Sequence, residues 1–450
     1  MKDRMFMERT LLAGFGQADI TPDLGTYLMG YVSADRPAER ILDPLHATVV
    51  VLAQGNTRTA VVALDWSLIC EAITEEIRAE IHKVTGIEPL NIQLSCSHTH
   101  SAPLTRTCWT IRQGDRKIEE GLAYVRKVIP AIVQAVKTAS DSLTEAEVGF
   151  ASIKSLTGVS RRGVGKDGVC GGFFADPDAV FDPTMTVAHF REHGTGKSLG
   201  ILVHYGAHNT AMGNTRDVTR DWCGVMKDRI ASQFHCTVMF LNGSEGDVGP
   251  RTNFIISPEG MLSAGVGDGL DSVREVGYRA ATDAMTALRS IREFRSGLKL
   301  SIHTAPVEFP YAPLPEEKEL RAEMACLEKE NLQDGKEYLY CLKALEARQK
   351  PVVPSLIFQQ TVVAFGPMVL LPLPVEIFSS ISLRVRKNSP YPYTLLCSQS
   401  NGTHAYLTDR EAVARGGYEV ETRKMFGPYI FVDDIDDRIV SACLENMKTE

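Results

Sequence analysis

The ten cysteines of this 450-residue chain form no CxxC pair. They lie at Cys70, Cys96, Cys108, Cys170, Cys223, Cys236, Cys326, Cys341, Cys397 and Cys443. That scatter excludes a cysteine-based zinc site and a disulfide framework, and reads as buried thiols of a reducing compartment. No run of about 18 uncharged apolar residues exists, so no transmembrane helix is expected. The opening MKDRMFMERTLLAGFG lacks a continuous apolar stretch, because Arg4, Glu8 and Arg9 interrupt it. It does not read as a signal peptide, and a cytoplasmic location is the expectation. No cluster of basic residues accompanies the net charge of -8, which argues against nucleic acid as a partner.

What remains is ordinary globular composition, 44% hydrophobic and 23% charged. The apolar, β-branched runs at 47–53 and 59–64 flank Gln54-Gly55-Asn56, which predicts a hairpin. Ile73, Ile77, Ile81 and Val84 recur at helical spacing and Gly86 follows them, so a helix over 71–85 is expected. Strands are expected at 91–95, 145–153, 184–191, 199–205, 237–242, 360–365, 368–373 and 394–398. Helices are expected at 118–139 (kinked at Pro130), 221–234, 272–291 and 376–386. The glycine-rich 261–269 reads as a mobile loop. The charged stretch 313–351, broken at 331–335, reads as a helical hairpin on the surface, with a lid or dimer arm as the sharper reading. The fold class is therefore α/β: mixed β-sheets flanked by helices, one catalytic domain over 1–450 with the hairpin arm inside it.

Four short segments carry chemistry. Ser97-His98-Thr99-His100 follows a strand, and residues two apart in an extended segment point the same way. Two imidazoles can therefore face one cavity, one binding a metal while the other meets a substrate oxygen or orients a ligand. His204 and His208 bracket the end of another strand. A histidine inside a strand, like His204, reads as a satisfied core residue, whereas His208 lies past the strand in a Gly/Ala segment open to a ligand. Glu376 sits among Leu373, Pro374, Val375, Ile377 and Phe378, where a carboxylate is costly unless paired or metal-bound. The competing reading is a helix N-terminal acid favoured by the dipole. Tyr406, in NGTHAYLT, reads on its own as a hydroxyl bonded to backbone.

Six segments in colinear order resemble the neutral/alkaline, non-lysosomal ceramidase family: GFGQADITPDLGTYLMGY, LSCSHTHSAP, GAHNTAMG followed by TRDWCG, FLNGSEGDVGPR, PVEIF, and NGTHAYLT with GGYEV beyond it. Gly243, Ala102 and Thr403 depart from the family pattern. The resemblance implies one Zn²⁺ per chain, held by His98, His208, Glu376 and Tyr406. It places His100 beside the scissile group and Tyr418 near the carbonyl. Arg161 or Arg162 is implied near the substrate, and the motif does not choose between them. Asp19, Gly243, Ser244 and Asp247 are implied as substrate contacts. Asp65, at the end of TAVVALD, is the candidate to orient His100, judged from chain order alone.

The expected activity is zinc-dependent hydrolysis of an amide, with a small-molecule or lipid-like amide other than long-chain ceramide as substrate. An esterase or lactonase on a small polar substrate, another class of zinc enzyme and a non-catalytic zinc-binding protein remain alternatives. Assembly with further copies of the chain is left open.

Overall fold

The apolar strands of the first half pair into one eight-stranded mixed sheet. Its members are β1 (Leu12–Asp19), β2 (His46–Gln54), β3 (Thr57–Leu64), β4 (Ile92–Cys96), β5 (Thr144–Lys154), β6 (Thr184–Glu192), β7 (Ser198–Tyr205) and β8 (Thr237–Asn242). The order is β8-β7-β6-β5-β1-β2-β3-β4, with β7/β8 and β3/β4 parallel and the other pairs antiparallel. The computed structural model describes residues 10–31, 35–105, 115–165, 167–170, 175–176, 178–256, 262–264 and 269–448.

One face of this sheet carries helices. α1 (Glu71–Thr85) and α2 (Asp115–Asp141) bury Ile73, Ile77, Ile81, Val128 and Ile132 against the β1–β4 half. α3 (Asp221–Phe234) and α4 (Leu270–Ser290) bury Trp222, Met226, Val276 and Ala280 against the β6–β8 half. The sequence reading missed β1, whose Gly14 and Gly16 look like loop residues. They are glycines because α2 lies directly on the strand: a Cβ at Gly14 would stand 2.0 Å from the Ala139 carbonyl oxygen, and one at Gly16 2.2 Å from that of Ala135.

The other face meets a second sheet, β9 (Leu300–Pro310), β10 (Ser355–Phe365), β11 (Met368–Pro372) and β12 (Tyr393–Cys397), in that order. Val50, Val61, Phe190 and Met239 of the first sheet interlock with Val363, Phe365, Leu370 and Leu395 of the second. Alternate residues of these strands face the two layers, so β2 and β3 are buried almost without interruption. A hairpin of α5 (Glu317–Lys329) and α6 (Lys336–Arg348) joins β9 to β10. Beyond the second sheet, α7 (Ser379–Asn388) and α8 (Ile435–Asn446) close the fourth layer. No helix among the described residues is long and apolar enough to cross a membrane.

Four further elements differ from expectation. Helix α7 begins at Ser379 rather than at 376, and Glu376–Ile377 instead forms a two-residue strand paired with Tyr406–Leu407. Residues 262–264 of the expected loop form a short strand paired with 254–256, while 261 and 265–268 lie outside the described residues. Residues 300–310 and 435–446 are regular elements that the sequence reading left unassigned.

The layer arrangement brings distant strand ends together. Cys96 at the end of β4 donates its amide to Gln399 O (3.1 Å), and Ser398 donates to Asn242 O at the end of β8 (3.1 Å). Both outer strands of the large sheet are thus stapled to the same segment just past β12. Loops leaving the C-terminal ends of β4, β7, β8, β11 and β12 converge there, as is usual for ligand sites of parallel strand pairs.

Candidate metal centre

The loop after β4 places His98 in the left-handed backbone region, φ 65°, which non-glycine residues rarely occupy. Its amide bonds Trp66 O (2.9 Å) and its Nδ1–H donates to Ser67 O (2.9 Å). Three residues past β7, His208 donates Nδ1–H to Glu245 O (2.7 Å). A ring whose Nδ1 carries the proton presents a lone pair at Nε2, the usual state of a metal-binding imidazole. Both Nε2 atoms turn to Glu376 Oε2, at 3.5 Å from His98 and 3.2 Å from His208. All three side chains are at most 3% exposed.

His208 Nε2 and Glu376 Oε2 have no hydrogen-bond partner, although both are buried. Orphaned lone pairs at this depth are expensive unless a cation receives them. The donor set of imidazoles and a carboxylate is one that zinc accepts. The residues therefore fit the metal that the sequence pattern implies. Burial penalises every charge in the site. Even so, the carboxylate of Glu376 is held well below its ordinary range by His98 and His208. The His98 imidazole is raised in return, because Glu376 and Glu245 outweigh its own burial. His208 is pushed down to about 3 by burial and by Arg161.

His100 joins the cluster by a different route. Its ring lies 4.7 Å from that of His98 and 5.8 Å from that of His208, and its Nε2 is 3.2 Å from His98 Nε2. Its Nδ1 meets no partner, so no backbone carbonyl fixes its tautomer as in the other two rings. Burial and the two neighbouring imidazoles hold it well below the ordinary histidine range, so it is neutral. Tyr31 packs edge-on against it, and Arg36 bonds its carbonyl oxygen (3.0 Å).

Tyr406 opens the two-residue strand paired with Glu376–Ile377 and lies opposite Glu376, and its ring stacks on that of His208 at 6.4 Å. Its hydroxyl accepts from Arg161 Nη2 at 3.2 Å. Glu419, almost wholly buried, takes Arg161 Nε on one oxygen (2.8 Å) and Arg162 Nη1 on the other. Arg161 is thus the arginine that faces the site. Arg162 turns to Gly416 O (2.6 Å) and over the Phe378 ring. Tyr418 packs its ring against Tyr406 at 6.2 Å and lies under the Arg161 guanidinium.

The remaining candidates play other parts. Asp19 is exposed, and its carboxylate bonds the Thr21 amide and hydroxyl, a local turn that does not reach the cluster. Gly243 and Ser244 pack against β7: a Cβ at Gly243 would stand 2.9 Å from the His204 ring, and one at Gly206 2.6 Å from the Ser244 backbone. Asp247 spends Oδ1 on the Ser379 amide and hydroxyl (both 2.9 Å), behind the site. Asp65 does not orient His100; it is locked to Lys227 Nζ at 2.7 and 2.8 Å. His204 is a core residue bonded to Leu396 O (2.8 Å).

Two residues escaped the sequence reading. Glu419 was hidden because the motif drew attention to its neighbour Tyr418. Glu245 lies in the glycine-flanked GSEGD loop, is fully buried and is pushed up to about 8, burial being the main cause.

A cavity of about 690 Å³ lies beside this cluster. Leu104, Ile118, Leu122, Phe426, Tyr429 and Phe431 supply much of its wall, and Lys343 and Ala347 of α6 close one side. The hairpin arm is therefore part of a cavity wall and not only a solvated helix pair. None of His98, His100 and His208 lines the cavity, but His404 and Ala405, next to Tyr406, do. Phe426 lines it too and packs its ring 6.4 Å from that of Tyr406.

A model of the neutral/alkaline non-lysosomal ceramidases, N-terminal region, matches residues 11–253. Among solved structures, the neutral ceramidase from Pseudomonas aeruginosa superposes with a TM-score of 0.72 at 16% identity, over 97% of this chain and 74% of that one. A ceramidase complexed with C2 gives 0.72 at 16% identity, over 97% of this chain and 75% of that one. At such identity the likeness is one of fold. No curated protein matches the sequence.

Proposed function

The chain belongs to the neutral/alkaline non-lysosomal ceramidase family, and on that premise we propose that it is a zinc-dependent hydrolase of a carbon–nitrogen amide bond. Zinc would be held by His98, His208, Glu376 and Tyr406. The observation that carries this reading is the pair of imidazoles whose Nδ1–H groups are tied to backbone carbonyls while both Nε2 atoms converge on buried Glu376.

Bound there, zinc supplies a water of lowered pKa and polarises a carbonyl. His100, neutral and without a backbone anchor, accepts the proton of the attacking water and returns it to the leaving amine. Arg161 and Tyr418 stand on the Tyr406 side of the site, where a fixed cation and a phenol hydroxyl favour the developing oxyanion. The Arg161 charge also steadies the Tyr406 oxygen in its ligand role.

The adjoining cavity is mainly apolar and of a size common for small-molecule sites. It supports an amide bearing one apolar group, smaller than long-chain ceramide. Turnover of short N-acyl amides against C12–C18 ceramide in detergent tests this. Ceramide kcat/KM at or above roughly 10⁴ M⁻¹s⁻¹ overturns the substrate reading. Loss of amide turnover on chelation, restored by zinc, supports the metal reading.

A further inference from the structure

Glu245 stands three residues past β8, and its backbone is fixed on both sides. Its carbonyl accepts His208 Nδ1–H (2.7 Å) and the Val248 amide (2.9 Å), and its amide bonds Gly243 O (3.0 Å). The next residue, Gly246, donates to Ile377 O (2.9 Å), beside Glu376. The backbone that carries this side chain is therefore held in place, and the side chain is fully buried.

Neither carboxylate oxygen makes a hydrogen bond; the Ser398 hydroxyl is nearby but not in bonding geometry. No lysine or arginine among the described residues pairs with it, and Arg161 is committed to Glu419, Gly246 O and Tyr406. A carboxylate this deep with no ionic partner is costly unless it keeps its proton or meets a cation. What it does face is the site: one ligand atom each of His98, Glu245 and Glu376 lie within 4.8 Å of one another.

We propose that Glu245 is a fifth ligand of the same ion, so that this chain offers two imidazoles, two carboxylates and a phenol. The inference rests on the zinc reading above and extends it. A second carboxylate balances the charge of a divalent cation within the pocket. It would raise the number of protein donors from four to five, with the Tyr406 phenol the donor that gives way to the attacking water.

The experiment measures zinc affinity by chelator competition, and the visible d–d spectrum of the cobalt(II)-substituted protein, for wild type and Glu245→Gln. The expected result is at least about tenfold weaker zinc binding and a more intense cobalt spectrum in the variant, as coordination number falls. Zinc affinity within twofold of wild type and an unchanged cobalt spectrum overturn the proposal and leave the zinc reading intact. A wild-type protein that takes up neither metal overturns both. Should Glu245→Gln fail to fold, Glu245→Asp, which draws the carboxylate back by one methylene, carries the same comparison with the same outcomes.

Discussion

Replacing Glu419 with glutamine probes the scaffold behind the metal site. Its carboxylate is 1% exposed and holds two guanidinium groups that are 6% and 10% exposed. The amide cannot balance either charge, so two cations stay buried with half their partner gone. Breaking a buried pair in this way costs about 3–5 kcal/mol. Over 450 residues, at about 2.1 cal/mol/K per residue, the unfolding entropy is roughly 0.9 kcal/mol/K. The melting temperature should therefore fall by about 3–5 °C in differential scanning calorimetry. Arg161 also aligns Tyr406, so amide turnover should fall by more than the stability loss explains, at a temperature where the variant is fully folded. A shift below about 1 °C with unchanged kcat would refute the claim that Glu419 anchors both arginines.

Three further outcomes follow. His100→Ala should keep its zinc and lose roughly 10²–10⁴ in kcat, whereas His98→Ala should lose metal and activity together; zinc content and kinetics on both folded variants decide it, and stripping of the metal by His100→Ala alone reverses the assignment. Asp221, whose carboxylate bonds the Ala211, Met212 and Trp222 amides, is pushed up to about 6 by burial. A raised carboxyl favours the folded state most below its unfolded value, near 3.9, and that contribution is lost as pH rises through about 6. Raising the pH from about 4 to 6 should therefore lower the melting temperature of the wild type relative to that of Asp221→Asn, and a difference that does not change with pH counts against the burial argument.

Much of the fold is written in local pattern. Helix 71–85 is set by its isoleucine spacing and Gly86, and strands 237–242 and 199–205 by unbroken apolar runs. β1 was illegible because its glycines answer to a helix more than a hundred residues away, which no local signal reports. The site divides in the same way. His98, His100 and His208 stand out because histidine just past a strand end is a compact signal. That they meet depends on both outer strands of the large sheet being stapled to residues 398–399, a long-range fact. Glu376 looked like the start of a helix because the helix that follows it is real; only pairing with Tyr406–Leu407 moves it into a strand. Arg161 and Arg162 are adjacent, chemically alike and both paired with Glu419, and only the bond from Arg161 to Tyr406, against that from Arg162 to Gly416 O, tells them apart. Glu245 gave no signal, since an acid between glycine-flanked turn residues reads as solvated.

The central claim is a single zinc on His98, His208, Glu376 and Tyr406, and elemental analysis of the purified protein tests it most directly. After metal-replete expression the account predicts about one zinc per chain in the wild type, lost in His98→Ala and in His208→Ala. Substoichiometric zinc in the wild type, with no further loss in either variant, would contradict it.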